Sequence, residues 1–324
     1  GYERRMRACL WALACGDALG QMTEGYWPHW IERVYGGPVR DFAAPLRPHD
    51  PLDWREAEVS DDTVMTLLLA RSLVEHEGRL DADDFAARIV ERPIKGWPRW
   101  TAFARAREAG DVAAATDSVG PGAAVRSVAI GLIDRPDDLD LLVLDAVAAA
   151  RVTHRRRPAV EAAAAVAAAV SAAIEGGSRD DVLETAMAAA VRAREQGDPA
   201  GDGPEADIAG ALEALRLTLG GRQAASLTLG ELGGILRSRV EPGFSAAEAV
   251  PFALVLACAA ADARRAILEA VNQGGDADSV AAIAGAVAAA MAPETLPEAW
   301  VGRVRTANPG LGIDELVPAL ARLR

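Results

Sequence analysis

The sequence predicts an all-α protein. Alanine dominates it, Phe (5 residues) and Tyr (3) are scarce, and the β-branched residues that fill strands are comparatively few. That balance favours helices packed through small side chains. Apolar residues recur at helical spacing in many windows, and none sustains the two-residue alternation of a half-buried strand. With 324 residues, 51% of them apolar, the chain is long enough to bury one large core or two smaller ones.

The elements follow in chain order. Ala8 to Cys15, preceded by Arg4-Arg5-Met6-Arg7, imitates a signal peptide, but an apolar run of about eight residues is at the short edge for one. It flows directly into Gly16-Asp17-Ala18-Leu19-Gly20 and reads as the first core helix. Val34 to Phe42, with Gly36-Gly37-Pro38, is a loop with room for a short strand. From Val64 to His76, Val64, Leu67 and Leu68, then Arg71 and Val74, recur at spacings of three and four. Similar patterns cover Asp81 to Val90, Leu139 to Val152, Ala159 to Ile174, Arg179 to Gln196, Ala206 to Leu217, Ala246 to Ala270 and Val280 to Met291, giving roughly ten helices in all. Glu195 to Glu205, rich in Gly, Asp and Pro, is an exposed connection within a single domain spanning residues 1–324.

A formal net charge of −13 opposes the phosphate backbone, so no nucleic-acid partner is expected. The same acidity suits a protein that gathers divalent cations, and equally an acidic soluble surface. Cys9, Cys15 and Cys258 have neither CxxC spacing nor a companion His pattern, which argues against a disulfide framework or a zinc site and fits a reducing, cytoplasmic location. The apolar run from Ala162 to Ile174 is too short to span a bilayer, which takes roughly 20 residues, so no membrane partner is expected.

Two acidic helix starts carry the chemistry. Ser60-Asp61-Asp62-Thr63 and Asp276-Ala277-Asp278-Ser279 each precede an apolar helix. A Ser cap with acids at the positive end of the helix dipole explains part of this. Yet a cap needs one or two acceptors, whereas each start offers two carboxylates and at least one hydroxyl within four residues. Counter-charge is also missing: no Lys or Arg lies between Arg265 and Arg303, and the nearest cations in sequence to Asp61 are Arg55 and Arg71. Carboxylates gathered without cations raise one another's pKa unless something positive sits among them. With Gly274-Gly275 loosening the backbone, Asp276 can lie in the turn and Asp278 at the cap. If the two starts face each other, oxygens from Ser60, Asp61, Asp62, Asp276, Asp278 and Ser279 form a cage suited to Mg²⁺ or Mn²⁺ rather than to zinc or copper. By contrast, Asp81-Ala82-Asp83-Asp84, flanked by Arg79 and Arg88, and Asp137-Asp138-Leu139-Asp140, beside Arg135, read as capping and solvated acids.

These residues carry a family resemblance. Gly16 to Gly20 with Glu24, then Tyr35 to Phe42, then Ser60 to Thr63 follow the order of the ADP-ribosylglycohydrolase (dinitrogenase reductase activating glycohydrolase-like) family. Gly120-Pro121-Gly122-Ala123-Ala124-Val125-Arg126 is similar to its "NGAAMR" stretch, Val152-Thr153-His154 to its "TH" motif, and Ala270 to Ser279 to its strongest segment. Two acidic motifs about 215 residues apart, in that order, make the match specific.

The resemblance implies a single compact multi-helix domain with two Mg²⁺ or Mn²⁺ ions in a central cleft, held by the six residues of the acidic starts. It also implies hydrolysis of a ribosyl N-glycosidic bond, with Asp61 and Asp278 essential and Glu24 positioning the attacking water. Gly120, Gly122, Arg126 and His154 fall where relatives approach the substrate; for His154, ordering a helix end is an equal alternative. Relatives acting on ADP-ribosyl-arginine often carry Asp-Ile-Gly after a tryptophan, where this chain has only Gly110-Asp111-Val112. That tilts the expected partner from an ADP-ribosylated protein toward a nucleotide-like small molecule. A catalytically silent, metal-dependent ADP-ribose-binding module is the alternative.

Overall fold

The computed structural model describes residues 1–46, 50, 52–111, 117–198, 206–220, 222, 224–260 and 262–324. Helix α1 (Tyr2–Gly20) is followed by α2 (Pro28–Tyr35), which starts on a proline, where a missing N–H costs little, and stops at Gly36 with φ 73°. Ser60 caps α3 (Asp61–Glu75) by accepting from the Asp62 N–H, and Asp81 caps α4 (Ala82–Val90) through the Asp84 N–H. Next come α5 (Trp100–Glu108), two short helices α6 (Gly122–Arg126) and α7 (Val128–Ile133), and α8 (Leu139–Arg151), capped by Asp138. A left-handed Gly176 ends α9 (Arg157–Glu175), and a capping box between Ser178 and Asp181 opens α10 (Arg179–Ala193). The remainder is α11 (Ile208–Leu219), α12 (Glu231–Arg237), α13 (Ala246–Ala260), α14 (Ala263–Val271), α15 (Ala277–Met291), α16 (Glu298–Ala307) and α17 (Ile313–Leu323).

Small residues set the packing. A Cβ at Gly16 would stand 2.2 Å from Ala281 O, and one at Gly20 would stand 2.3 Å from Asp278 Cα. Helix α1 therefore lies backbone to backbone on α15, an approach only glycine permits. Helix α9 packs against α6, α7, α8, α10, α13 and α15, so every residue from Pro158 to Ile174 is buried. One hydrophobic cluster runs from Met6 to Leu320 through all these elements.

Several expectations need correction. The pattern from Ala246 to Ala270 is two helices, because Asp262 accepts from the Arg265 N–H and starts α14 afresh. Val34 to Phe42 holds no strand: α2 runs to Tyr35, and Val39 is paired instead by the Asn272 side chain, which donates to Val39 O and accepts from Val39 N. An amide side chain here does the work of a neighbouring strand. Among the described residues only two isolated bridges occur, Asp117 with His154 and Arg156 with Asp198. Helix α9 has 19 residues and by length and composition is apolar enough to cross a membrane, contrary to expectation, but 94% of that window is enclosed by the protein. Of the Glu195 to Glu205 connection, residues 199–205 lie outside the described residues. The acids set aside as caps behave so: Asp84 pairs with Arg88 and accepts from Ser72, and Asp137 meets Arg135.

Candidate functional site

The two acidic helix starts meet. Ser279 Oγ donates to Asp62 Oδ2 at 2.7 Å, and Gln21 Nε2 donates to Asp278 Oδ2 at 2.7 Å. Between them stands Asp17 of α1, whose Oδ2 accepts from the Ser60 N–H (2.9 Å), the Thr63 N–H (3.2 Å) and the Thr63 hydroxyl. The turn Gly16-Asp17-Ala18-Leu19-Gly20 thus does two things: its glycines seat α1 on α15, and its aspartate grips the start of α3.

The approach to α15 is equally tight. Gly274 and Gly275 have φ of 65° and 67°, and a Cβ on either would sit 1.8 Å from a carbonyl oxygen, Tyr26 O or Pro242 O. Gly25 N–H donates to Gly275 O, and Gly275 N–H donates back to Tyr26 O. Asp276, expected in the turn, is the N-cap residue, and Asp278, expected at the cap, lies two positions beyond it inside the first turn.

Gln21, Asp61, Asp62, Asp276, Asp278 and Ser279 floor a cleft of about 610 Å³, within the size range of small-molecule sites. Burial and mutual repulsion dominate its electrostatics. Burial, then Asp278, pushes the Asp17 carboxyl up to about 7; burial, Asp278 and Asp17 push Asp61 up to about 8. Asp62 and Asp276 are driven well above the usual carboxylate range by burial and neighbouring acids. Two buried oxygens, Asp17 Oδ1 and Asp278 Oδ1, have no hydrogen-bond partner. Among the described residues no three His, Cys, Asp or Glu groups stand at metal-ligating spacing; the carboxylates share a chamber without closing around one point.

The family model for ADP-ribosylglycohydrolase matches residues 1–324. The chain belongs to the ADP-ribosylglycohydrolase family. At that level it is a glycohydrolase. The uncharacterized protein YegU of Escherichia coli K12 is 30% identical over 309 residues, covering 89% of this chain and 87% of its own. An uncharacterized protein of Archaeoglobus fulgidus is 30% identical over 322 residues, covering 92% and 91%. A solved structure, an ADP-ribosylglycohydrolase-related protein complex, superposes with TM-score 0.66 at 26% identity, over 99% of this chain and 98% of its own.

In this member of the family, Glu24, Asp61, Asp62, Asp276, Asp278, Ser279, Gly120, Gly122 and His154 all line the cleft. Ser60 is buried beneath it. Arg126 does not line it: the side chain is 1% exposed, with Nη2 held by Ala149 O, Ala150 O and the Thr153 hydroxyl. It is a cation behind the carboxylates, drawn down to about 10 by burial although Asp62 and Asp61 oppose that fall. Gly120 and Gly122 lack the left-handed backbone that would demand glycine, and the Gly120 N–H is given to Ser118 Oγ rather than to the cleft. Asp111 is not among the lining residues, and residues 112–116 lie outside those described.

Sequence reasoning missed Asp17, Gln21 and the outer walls. Those walls include Trp54, Trp97 and Phe244, with Lys95 and Arg99. Lys95 is tied to Glu58 Oε2 at 2.8 Å and sits 4.5 Å from the Trp54 ring centroid. Asp17 had one signal, a lone carboxylate between two glycines one turn apart on an apolar helix.

Proposed function

We propose that the cleft hydrolyses a ribosyl N-glycosidic bond with the help of two divalent ions, Mg²⁺ or Mn²⁺. The observation that carries this is the meeting of Asp62 and Ser279 on one floor, which gathers acids from both ends of the chain with Arg126 the cation behind them. Partnerless oxygens on Asp17 and Asp278 fit a cation, because buried acceptors without donors are costly. The donor set is all oxygen, as hard ions require.

Asp61, Asp62, Asp276 and Asp278, with the hydroxyls of Ser60 and Ser279, would hold the ions. Ser279 spends its proton on Asp62, which leaves its lone pairs available. When bound, such ions chelate ribose hydroxyls and lower the pKa of water. The protein's part is the rest. Glu24 takes the proton of the attacking water, and the acidic floor stabilises the positive charge that grows at the anomeric carbon as the glycosidic bond breaks.

The cleft's size and its indole and phenyl walls favour a nucleotide-like substrate, an ADP-ribosyl or ribosyl metabolite, over an ADP-ribosylated arginine on a protein. The chain's formal net charge of −13 disfavours nucleic acid. Three buried free thiols fit the cytoplasm.

The test is a Mg²⁺- and Mn²⁺-dependent screen of ribosyl N-glycosides, ADP-ribosyl-arginine included, read by mass spectrometry. Asp61→Asn and Asp278→Asn are expected to lose turnover by on the order of 10²-fold or more, with helical content unchanged. Retained activity in both variants defeats the mechanism, and tight binding of ADP-ribose without turnover in the wild type makes the protein a binding module instead.

A further inference from the structure

Arg126 is enclosed, yet its contacts lead back to the cleft. Its Nη2 gives hydrogen bonds to Ala149 O and Ala150 O, both at 3.1 Å, and to Thr153 Oγ1 at 2.6 Å. A guanidinium has donors only, so the Thr153 oxygen receives there and keeps its own proton to give. Its other recorded partner is His154 Nδ1, 2.7 Å away, and donation by the hydroxyl is the arrangement that uses the Thr153 proton, because the reverse would leave that proton without an acceptor. A ring nitrogen that accepts carries no proton, which leaves the single proton of a neutral imidazole on Nε2. His154 is 6% exposed and lines the cleft, and the hydrogen bond recorded for its ring is the one at Nδ1.

We propose that Arg126 and Thr153 are positioning residues that fix His154 as the neutral tautomer protonated on Nε2, so that His154 offers a hydrogen bond to an acceptor oxygen of the ligand and takes no part as acid or base. The donor role rests on reading the cleft as the nucleotide site; the tautomer does not. Burial and the nearby cations Arg126 and Arg99 hold the imidazole well below its ordinary range, which agrees with a neutral ring. Arg126 thereby serves two neighbours from one buried position, countering the acids on one side and orienting an imidazole on the other.

The experiment is nitrogen-15 NMR of the histidine rings at neutral pH. The chain has 4 histidines, and His154→Gln assigns the set that disappears. The expected pattern is one protonated and one unprotonated nitrogen, the protonated one coupled to both ring carbon-bound protons and therefore Nε2. Thr153→Val, which keeps the shape and removes the hydroxyl, is expected to shift Nδ1 toward the average of exchanging tautomers, and Thr153→Ser to restore it. Two protonated nitrogens, a proton on Nδ1, or an unchanged spectrum in Thr153→Val overturns the proposal. ADP-ribose is then added with Mg²⁺: a larger shift at Nε2 than at Nδ1 supports the donor role. A raised Tm with Nε2 unmoved overturns that role. No change in either Tm or spectrum counts against the nucleotide reading of the cleft, while the tautomer is decided by the ligand-free spectrum.

Discussion

Ser279 Oγ and Asp62 Oδ2, 217 positions apart in the chain, lie 2.7 Å from each other. This bond joins the starts of α15 and α3 over a buried floor. Its removal by Ser279→Ala is expected to cost about 0.5–1.5 kcal/mol and to weaken the rise in Tm on adding Mn²⁺. Ser279→Thr keeps the hydroxyl and serves as the control. Thermal melts with and without Mn²⁺ check both, and an alanine variant with an undiminished Mn²⁺ response removes Ser279 from the ion-holding set.

The contact between α1 and α15 makes a steric prediction. Gly20→Ala places a methyl 2.3 Å from Asp278 Cα, and overpacking of this kind typically costs about 1–3 kcal/mol. Gly302→Ala in α16, where nothing lies within 4 Å of the new Cβ, is expected to stabilise by about 0.5–1 kcal/mol. Urea unfolding of the two variants against wild type should move the midpoints in opposite directions.

The pH dependence has a definite sign. Asp17 and Asp61 are raised from 3.8 to about 7 and about 8, so the folded, metal-free chain binds more protons than the unfolded one between those values. Stability from this source is full below about pH 4 and is lost as pH rises through 7 and 8. On the proposed metal reading, divalent ions held by the floor would displace those protons, so the gain in Tm from Mg²⁺ or Mn²⁺ over chelator should grow from pH 6 to pH 9. A gain that shrinks over that interval contradicts the assignment.

A second buried acid separates the two effects. Asp134, at the end of α7, is pushed up to about 7 by burial and by Asp145 of α8. Asp145→Asn removes that neighbour's charge and should flatten the fall in metal-free stability between pH 5 and pH 8. It should leave the response to Mn²⁺ intact, because Asp145 is not among the residues lining the cleft.

The fold class was legible because alanine-rich helices announce themselves by composition, and the two acidic starts because they hold more oxygen than a cap can use. What escaped notice was whatever depended on contacts between distant segments. Asp17 looks like one acid in an apolar helix until α3 is laid across it. Arg126 looks like a substrate contact in a glycine-rich stretch, yet the short turn of α6 carries it inward to the carbonyls ending α8. The break at Asp262 left the apolar pattern on either side in phase, and only the cap to Arg265 N–H marks it.

The seam where Gly16 and Gly20 meet Ala281 and Asp278 has a mechanical consequence. Main chain rests on main chain there, with no side chain between to change rotamer. Half of the floor is therefore keyed to the deepest part of the molecule and moves only as α1 and α15 move together. The facing side, built from the loop segments carrying Trp54, Lys95, Trp97 and Phe244, touches the floor through Gly96, where a Cβ would come 2.8 Å from Asp61 Oδ1, so bulk added at that glycine would press on the acids while the α1–α15 seam stays in register.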